Sequence, residues 1–334
     1  MANDTKYAYA VARVRVLETR LLEKGQIDRM VEARNAQEAL QVLGETVYGN
    51  AVAELEDVYQ YEELLGGELG RAYQTVRSFY PEPALVDIFA AKYDVHNLKV
   101  LLKAHFLGIE PDETILSTGA GSIPLDSLKA MFREEDFRDL PPALRAAVEE
   151  IREAFVQEPD PQLIDIILDR ALYEHIFAMA EKLPFLQELF THKANLVNIK
   201  TFLRVKNLGR DWAFLEKVLL PGGDLDRDIF RELLDEPLEV FSDRLAMSPY
   251  AQVVEEGIRE WQERQSLTRF EKLADDFLLH FVREKKHASF GPEPLVGYLM
   301  AKENELKLIR IIMVGKINRL PTEEIRERLR DVYV

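Results

Sequence analysis

An internal repeat is the feature of this sequence that most restricts how the chain can fold. Residues 92–108 read KYDVHNLKVLLKAHFLG and align without a gap with KANLVNIKTFLRVKNLG at residues 193–209, with six of 17 positions identical. Average residue usage predicts about one identity by chance. A weaker third copy, KENELKLIRIIMVGKIN, occupies residues 302–318. A chain that repeats a segment in this way is expected to repeat one structural unit.

A proline precedes each copy and a glycine lies near its end. The prolines are Pro83, Pro184 and Pro294, and the glycines are Gly108, Gly209 and Gly315. Proline suits the first turn of a helix, where its missing N–H group would have no partner, and glycine suits the exit, where the backbone needs a positive φ. Each copy is therefore predicted to be one long helix, or two helices in tandem, that ends at its glycine.

The rest of the chain also has a helical pattern. Apolar residues recur at spacings of three and four almost everywhere, and strict alternation is nearly absent. One short alternating piece occurs within residues 9–22, but Leu17, Leu21 and Leu22 restore the helical spacing. Because 47% of the residues are hydrophobic and 31% are charged, the chain can bury a core. The sequence predicts an all-α protein.

The period of the repeat sets the expected domain size. The first lysines of successive copies are separated by 101 and then 109 residues, which is too long for a solenoid repeat and suits a small domain. We therefore expect three similar helical domains at residues 1–120, 121–222 and 223–334. Three such units can close into a ring with approximate threefold symmetry. The predicted architecture is a funnel with a central cavity.

Charge is sorted along the chain. The formal net charge is −16, which argues against a general nucleic-acid-binding protein, because such proteins carry a surplus of Lys and Arg. The three copies are nonetheless basic: residues 92–105 carry +2, residues 193–210 carry +5 and residues 302–319 carry +3, which leaves −26 on the remainder. Basic helices in an acidic protein predict an acidic partner.

Lysine and arginine form a stripe on the first two copies. At 100° per residue, Lys92, Lys99 and Lys103 lie within about 20° of one line, and the second copy repeats this spacing. The third copy has Ile309 and Met313 at the later cation positions. The candidate partner-binding residues are Lys92, Lys99, Lys103, Lys193, Lys200, Arg204, Lys302 and Arg310.

These cations have two interpretations. They can compensate the dipoles at helix C-termini while their stems cover apolar neighbours. Alternatively, they line one concave surface that binds an acidic or carbonyl-rich partner. On the second interpretation, charge reversal at Lys99 and Lys200 together is expected to weaken partner binding while the fold stays intact.

The sequence motifs of common enzymes are absent. The chain has no GxxxxGK[ST], HExxH or GxSxG motif and no cysteine. Glu284 and His287 have the spacing of a helical metal pair, but a carboxylate-bridged site needs a second such pair. We therefore expect no catalytic residues, cofactor or metal. The most apolar segment, residues 308–315, is too short to span a bilayer, so membrane association is expected through a partner.

Several segments together resemble one protein family, the C subunit of V-type (archaeal and bacterial A/V-type) ATPases, the counterpart of the eukaryotic d subunit. The likeness covers residues 7–317. It rests on the order and spacing of YAYAVARVRVLETRLL, LGETVYG, KYDVHNLKVLLK, KANLVNIKTFLR, LLPGG and KENELKLIRII. The resemblance implies a funnel of three all-helical domains without a catalytic site.

The resemblance also implies the partners. The protein would sit as a peripheral component on the cytoplasmic side of the membrane, with the membrane rotor ring at its base and the central shaft subunits in its cavity. It would couple ATP hydrolysis or synthesis to proton or sodium transport. Arg13 and Arg15 match the family pattern, either as structural ties or as partner contacts. With the shared asparagines Asn97 and Asn198, they are candidate structural residues.

Two other classes of function stay open at this point. A generic all-helical adaptor that binds some other acidic partner fits the charge pattern equally well, and co-purification would separate it from a rotary motor. A helical hydrolase with a diffuse carboxylate or metal site would show bound metal or ATPase activity when purified alone.

Overall fold

A computed structural model of the chain describes residues 5–117, 119–157, 159–288 and 291–334. Within these ranges the chain is helical and contains no strand, so the all-α prediction is confirmed. The helices are α1 (Thr5–Glu18), α2 (Lys24–Glu32), α3 (Ala36–Gly44), α4 (Gly49–Ala53), α5 (Tyr61–Phe79), α6 (Pro83–Leu107), α7 (Leu125–Glu134), α8 (Pro142–Gln157), α9 (Pro161–Met179), α10 (Pro184–Asn207), α11 (Trp212–Val218), α12 (Arg227–Glu232), α13 (Leu238–Arg244), α14 (Ala251–Arg264), α15 (Thr268–Glu284), α16 (Glu293–Ile317) and α17 (Thr322–Arg328).

One sequence of elements occurs three times along the chain. A helix of 17 to 19 residues (α5, α9 or α15) precedes a helix of 24 or 25 residues (α6, α10 or α16). A short helix follows each long one: a 3-10 turn at Glu113–Ile115, then α11, then α17. Each long helix contains one copy of the sequence repeat except for its last one or two residues, so the repeat corresponds to a recurring structural element.

Proline and glycine bound the first two long helices as predicted. Pro83 is the first residue of α6 and Pro184 is the first residue of α10. Beyond the ends of these helices, Gly108 and Gly209 have φ values of 64° and 61°. A residue with a side chain adopts this left-handed region only at a cost, which explains glycine at both positions.

The third long helix ends differently. Gly315 lies inside α16, and the residue with positive φ after the helix is Arg319, with φ at 57°. The prediction that Gly315 ends the helix is therefore wrong. A Cβ atom at Gly315 would lie 2.6 Å from Cγ1 of Ile325 on α17. Glycine is needed there because α17 packs closely against α16.

The first of two compact units comprises residues 5–86, 271–288 and 291–334. Within it, α16 contacts α1, α2, α3, α5 and α17. Ile309 and Met313 of α16 are fully buried and belong to one hydrophobic core with Met30 and Leu43. The third copy therefore has core residues at the later positions of the cationic stripe.

The second compact unit comprises residues 87–117, 119–157 and 159–270. Here α9 packs against α8, α10 and α11. Phe202 of α10 stacks on Phe241 with ring centroids 4.3 Å apart and lies 5.7 Å from Phe230. All three rings are buried. This aromatic cluster joins α10 to α12 and α13.

Candidate partner-binding site

A cavity of about 550 Å³ lies in the second unit between α6, α9, α10 and α11. Three of the candidate partner-binding cations line it: Lys92 from α6, and Lys193 and Arg204 from α10. Lys92 and Lys193 are half-buried, whereas Arg204 is exposed. The structure thus brings together cations from two copies of the repeat on one concave surface.

Lys99 and Lys103 on α6 form ion pairs with α9. The Lys99 Nζ atom lies 2.7 Å from Oδ1 of Asp169, and the Lys103 Nζ atom lies 2.7 Å from Oδ2 of Asp165. The aspartate side chains are 48% and 39% exposed, so each pair stabilises the unit by about 0.2–1 kcal/mol. These two cations therefore contact their own chain.

The aspartates that pair with Lys99 and Lys103 were not among the residues predicted from the sequence. Asp165 and Asp169 are four residues apart on α9, as are Lys99 and Lys103 on α6. Residues four apart lie on one face of a helix, so matching spacings of opposite charge were a usable signal. The signal does not tell which helices are neighbours.

Lys302 on α16 is in the interior of the first unit. It is 6% exposed, and its Nζ atom lies 2.8 Å from Oε1 of Glu305 and 2.7 Å from the hydroxyl of Tyr48. The second oxygen of Glu305 accepts a hydrogen bond from the backbone N–H of Leu22. Burial, together with the charge of Glu305, raises the pKa of Tyr48, so its hydroxyl stays protonated and donates to Glu305. Lys302 is thus bound to internal partners.

The remaining two candidate cations differ in their surroundings. Arg310 forms a bidentate pair with Glu62, with both N···O distances 2.8 Å and both side chains 48% exposed. Lys200 is half-buried on α10, at the position that corresponds to Lys99 on α6.

Asn97 and Asn198 hold equivalent backbone segments. The side-chain amide of Asn97 donates to the carbonyl oxygen of Ser117 at 2.9 Å, and its oxygen accepts the N–H of Ser117 at 2.8 Å. Asn198 makes the same pair of bonds to Leu220, at 3.0 and 2.8 Å. We call this arrangement the amide clamp. In both copies it fixes the return segment, residues 116–117 and 119–124 or residues 219–226, against its long helix.

A second polar contact lies beside the clamp in α6. The carboxylate of Asp94 is 1% exposed and accepts hydrogen bonds from the N–H and hydroxyl of Ser122 and from the N–H of Ile123. Burial raises the pKa of Asp94, although the bonds from Ser122 act in the opposite direction. A Cβ atom at Gly121 would lie 2.3 Å from Oδ1 of Asp94, so only glycine allows this approach.

The corresponding contact recurs in α10. Asn195 is fully buried, and its oxygen accepts the N–H groups of Asp224 and Leu225 at 3.1 and 3.2 Å. A Cβ atom at Gly223 would lie 2.5 Å from Oδ1 of Asn195. Both copies thus share a polar side chain, a close glycine and an amide clamp.

Arg13 and Arg15 on α1 contact different parts of the first unit. The guanidinium of Arg13 is exposed and lies 4.9 Å from the centre of the Phe79 ring. Arg15 is half-buried and donates to the carbonyl oxygen of Lys286. Arg15 therefore ties α1 to the segment that follows α15, whereas Arg13 packs on an aromatic ring at the surface.

The described residues were compared with the requirements of a metal site and of a membrane-spanning helix. Within the four described ranges, no three His, Asp or Glu side chains are grouped so that they could share a metal ion. No helix in this part of the chain has both the length and the apolar character needed to cross a bilayer.

Comparisons with known proteins agree with each other. A family profile described as ATP synthase (C/AC39) subunit matches residues 10–328. The chain is 29% identical to the C subunit of the V-type sodium ATPase of Enterococcus hirae, over 96% of this chain and 97% of that protein. It is 28% identical to the C subunit of the A-type ATP synthase of Methanocaldococcus jannaschii, over 97% and 86% of the two chains. The corresponding A-type C subunit of Pyrococcus furiosus is 23% identical, over 98% and 91%.

Proposed function

This chain belongs to the ATP synthase (C/AC39) subunit family, and we propose that it is a non-catalytic central-stalk subunit of a V/A-type rotary ATPase. It joins the central shaft to the membrane rotor ring on the cytoplasmic side and transmits torque for proton or sodium transport. The observation that carries this proposal is the extent of the match, which includes 96% of this chain and 97% of the Enterococcus hirae protein.

The proposed architecture is a funnel of three domains, at residues 1–120, 121–222 and 223–334, around a cavity for the shaft. Its support is the threefold recurrence of a 17- to 19-residue helix, a 24- or 25-residue helix and a short helix along the chain. Each module would contribute one long helix to the wall of the funnel. The membrane ring would bind at its base.

A torque-transmitting part must keep its shape under load. One elementary charge that crosses about 100 mV delivers about 2.3 kcal/mol, so the contacts of the protein must resist several times that energy. The amide clamps of Asn97 and Asn198 suit this role because each forms two hydrogen bonds between a long helix and its return segment. An interface of about 1,600 Å² with a few anchoring side chains is sufficient to hold the shaft.

The basic C-terminal half of α10 is the proposed contact for an acidic segment of the shaft. Residues 193–210 carry +5 with no acidic residue, and Arg204 is exposed on this surface beside the half-buried Lys200. Charge complementarity of this kind increases the association rate and orients the partner. Lys99 and Lys103 are left out of this surface because they face α9, and Lys302 because it lies in the interior of the first unit.

Co-purification tests both levels of the proposal. We expect the tagged full-length chain, expressed with the membrane ring and the shaft subunits of its complex, to retain both. The variant that combines Lys200→Glu and Arg204→Glu should keep its helical circular dichroism and lose the shaft at about 150 mM salt, whereas Lys182→Glu, an exposed control, should not.

The outcomes separate the two levels. A wild-type chain that retains neither shaft nor ring, or that retains a different acidic protein, would contradict the central-stalk function. A double variant that binds the shaft as well as the wild type would contradict only the assignment of the α10 surface.

A further inference from the structure

A buried polar side chain near the start of the repeat occurs on all three long helices. Each accepts a hydrogen bond from the backbone N–H of a residue that lies two positions before the first residue of a shorter helix, α7, α12 or α2. The acceptors are Asp94 on α6, Asn195 on α10 and Glu305 on α16, which are 1%, 0% and 4% exposed. The donors, in the same order, are Ile123, Leu225 and Leu22. The start of a shorter helix is thus fixed to each long helix in the same way.

The third of these contacts differs in sequence order. The helix α7 follows α6 and α12 follows α10, and the bonded residues are 29 and 30 positions apart. The helix α2 instead precedes α16, and 283 positions separate Leu22 from Glu305. The segment that contacts α16 therefore comes from a much earlier part of the sequence than α16 itself.

Residues 22–48 and residues 225–250 are similar to each other, and we call them the docking segments of α16 and α10. The first contains α2 and α3, and the second contains α12 and α13. At five, eight and nine positions after its first residue, each segment has a buried apolar side chain. These residues are Ile27, Met30 and Val31 in the first segment, and Phe230, Leu233 and Leu234 in the second. The two docking segments therefore bury apolar side chains with the same spacing.

Both docking segments end in the same turn. The hydroxyl of Thr46 donates to the carbonyl oxygen of Leu43 at 2.6 Å, and the hydroxyl of Ser248 donates to that of Leu245 at 2.7 Å. Each hydroxyl also accepts the backbone N–H of a tyrosine two positions later, which is the last residue of the segment. The two turns thus place a tyrosine at the same end of each docking segment.

One side chain of the long helix binds both ends of its docking segment. The carboxylate of Glu305 accepts the N–H of Leu22 and the hydroxyl of Tyr48. The amide of Asn195 makes the corresponding bonds to the first and last residues of its own segment, at 3.2 and 2.8 Å. Because both ends share one bonding partner, they are held to the long helix together.

The bonds on α16 involve charged groups, whereas Asn195 on α10 is neutral. Lys302 donates to the hydroxyl of Tyr48 at 2.7 Å and to Glu305 at 2.8 Å. Hydrogen bonds of charged groups are stronger than those between neutral groups. Arg326 on α17 also pairs with Asp28 on α2, at 3.5 Å. The stronger contacts thus hold the segment that lies farther in sequence from its long helix.

We propose that residues 22–48 complete the module that begins with α16, as residues 225–250 complete the module that begins with α10, and that each docking segment detaches from its long helix as one unit. The third module is then continuous in structure, although its parts are far apart in sequence. Its limits differ from the domain proposed at residues 223–334, because residues 225–250 belong with α10. The inference rests on contacts within each unit and does not depend on the rotary function.

Hydrogen exchange of the full-length chain, followed by mass spectrometry of its peptides, tests detachment. Tyr48→Phe removes the hydroxyl at the end of the first segment. It should accelerate exchange of the amides of α2 and α3 together by about tenfold or more and leave α12 and α13 unchanged. Tyr250→Phe should do the reverse. Tyr59→Phe, which alters a tyrosine that is 68% exposed, should change neither segment.

A permuted chain tests the limits of the module. The last residue is joined to the first by a flexible linker of about 20 Gly and Ser residues, and the chain is reopened between Gly222 and Gly223. The second module then has the sequence order that the third has naturally. We expect native helical circular dichroism and a melting temperature within about 5 °C of that of the native chain.

A second permuted chain is the matched control. Reopening between Asp235 and Glu236 divides the docking segment of α10 between α12 and α13, and it should lower the melting temperature by about 10 °C or more. Both opening sites are exposed, so burial of the cut does not account for a difference between the two chains.

Specific outcomes overturn the proposal. Unchanged exchange in the folded Tyr48→Phe protein, a rise in only one helix of the segment, or an equal rise in both segments contradicts detachment as one unit. A chain opened at Gly222 that does not fold, or that melts no higher than the chain opened at Asp235, contradicts the limits of the module. The permuted chains carry the test if Tyr48→Phe is not folded.

Discussion

The first lysine of the repeat has different surroundings in α16 and in α10. Lys302 on α16 is 6% exposed and bonds to Glu305 and Tyr48 inside a hydrophobic core. Lys193 on α10 occupies the same repeat position, is half-buried and lines a cavity. The difference shows that a repeated sequence determines a repeated helix, whereas the neighbouring helices determine what each side chain contacts.

The later positions of the repeat show the same contrast. Ile309 and Met313 on α16 are fully buried, at the positions that Lys200 and Arg204 occupy on α10. The helix α16 packs against α1, α2, α3, α5 and α17 in its unit, and its Lys307 also pairs with Asp275 of α15. Because α16 is enclosed in this way, cations at these positions would lose their hydration without partners.

The largest expected effect comes from Lys302. The substitution Lys302→Met leaves the Glu305 carboxylate buried without its ammonium partner, so we expect the free energy of unfolding to fall by about 3–5 kcal/mol. The matched substitution on α10, Lys193→Met, should change it by less than about 1 kcal/mol. Urea unfolding followed by circular dichroism measures both.

A second variant isolates the cause. Adding Glu305→Gln to Lys302→Met removes the buried charge and keeps an oxygen that can accept the N–H of Leu22. We expect at least half of the lost stability to return. Equal effects of the two Lys→Met substitutions would mean that burial does not distinguish α16 from α10.

The amide clamps give the next largest effect. Asn198→Leu leaves the N–H and C=O groups of Leu220 without partners in the interior, and we expect a loss of about 2–3 kcal/mol. Asn97→Leu should cost less, about 1–2 kcal/mol, because Ser117 is half-buried and water can reach it. Thermal or urea unfolding would refute this ranking if the Asn97 variant were the less stable of the two.

Charge reversal at equivalent positions of α6 and α10 should have different effects on stability and on shaft binding. Lys99→Glu breaks the pair with Asp169 and places two like charges together, so we expect a loss of about 1–2 kcal/mol of stability. Lys200→Glu should cost less than about 1 kcal/mol and act mainly on shaft binding. A stable Lys99→Glu protein with impaired shaft binding would reverse these roles.

The smallest expected effect is a pH dependence of stability that arises from His192 on α10. The other long helices have no titratable residue at the equivalent repeat position. Burial lowers the pKa of His192 below its ordinary value of 6.5, whereas the equivalent residues on α6 and α16 are Ala91 and Ala301. The neutral ring is favoured in the folded protein. Its contribution to stability is therefore present above pH 6.5 and is lost as the pH falls through the lower pKa of the folded state.

The slope of stability against pH measures this contribution. One histidine contributes at most about 1.4 kcal/mol per pH unit. His192→Gln keeps a group that can bond to the Tyr250 hydroxyl, 2.7 Å from Nδ1 of the native ring. It should flatten the slope of stability against pH below the ordinary histidine pKa of 6.5. His175 has a pKa lowered by the same cause, so part of the slope should remain.

Much of the fold was predictable from local signals. Pro83 and Gly108 placed both ends of α6 because the first turn and the left-handed exit of a helix make local demands. Gly315 does not end α16, because glycine is also used where two helices pack closely. Only the position of Ile325 shows that Gly315 serves close packing and not the left-handed exit of the helix. A local sequence signal therefore predicts that a helix is present more reliably than it predicts the residue at which the helix ends.

The candidate site was less predictable. The spacing of Lys92 and Lys99 placed them on one face of α6, but the neighbour of that face is α9, whose Asp169 no short-range pattern links to Lys99. The burial of Lys302 depends on Leu22 and Tyr48, which lie far earlier in the chain. Contacts of such long sequence range follow from topology, which the repeat alone does not specify.

The amide clamp has a consequence for how the copies can diverge. Asn97 and Asn198 bond to peptide groups of the residues that they hold. A small polar residue, Ser117, and a large apolar one, Leu220, are held in the same way. The side chains of the return segments can therefore change by mutation while the two hydrogen bonds of the amide clamp remain. Repeated segments can in this manner lose their sequence similarity and still attach their return segments to their long helices in the same way.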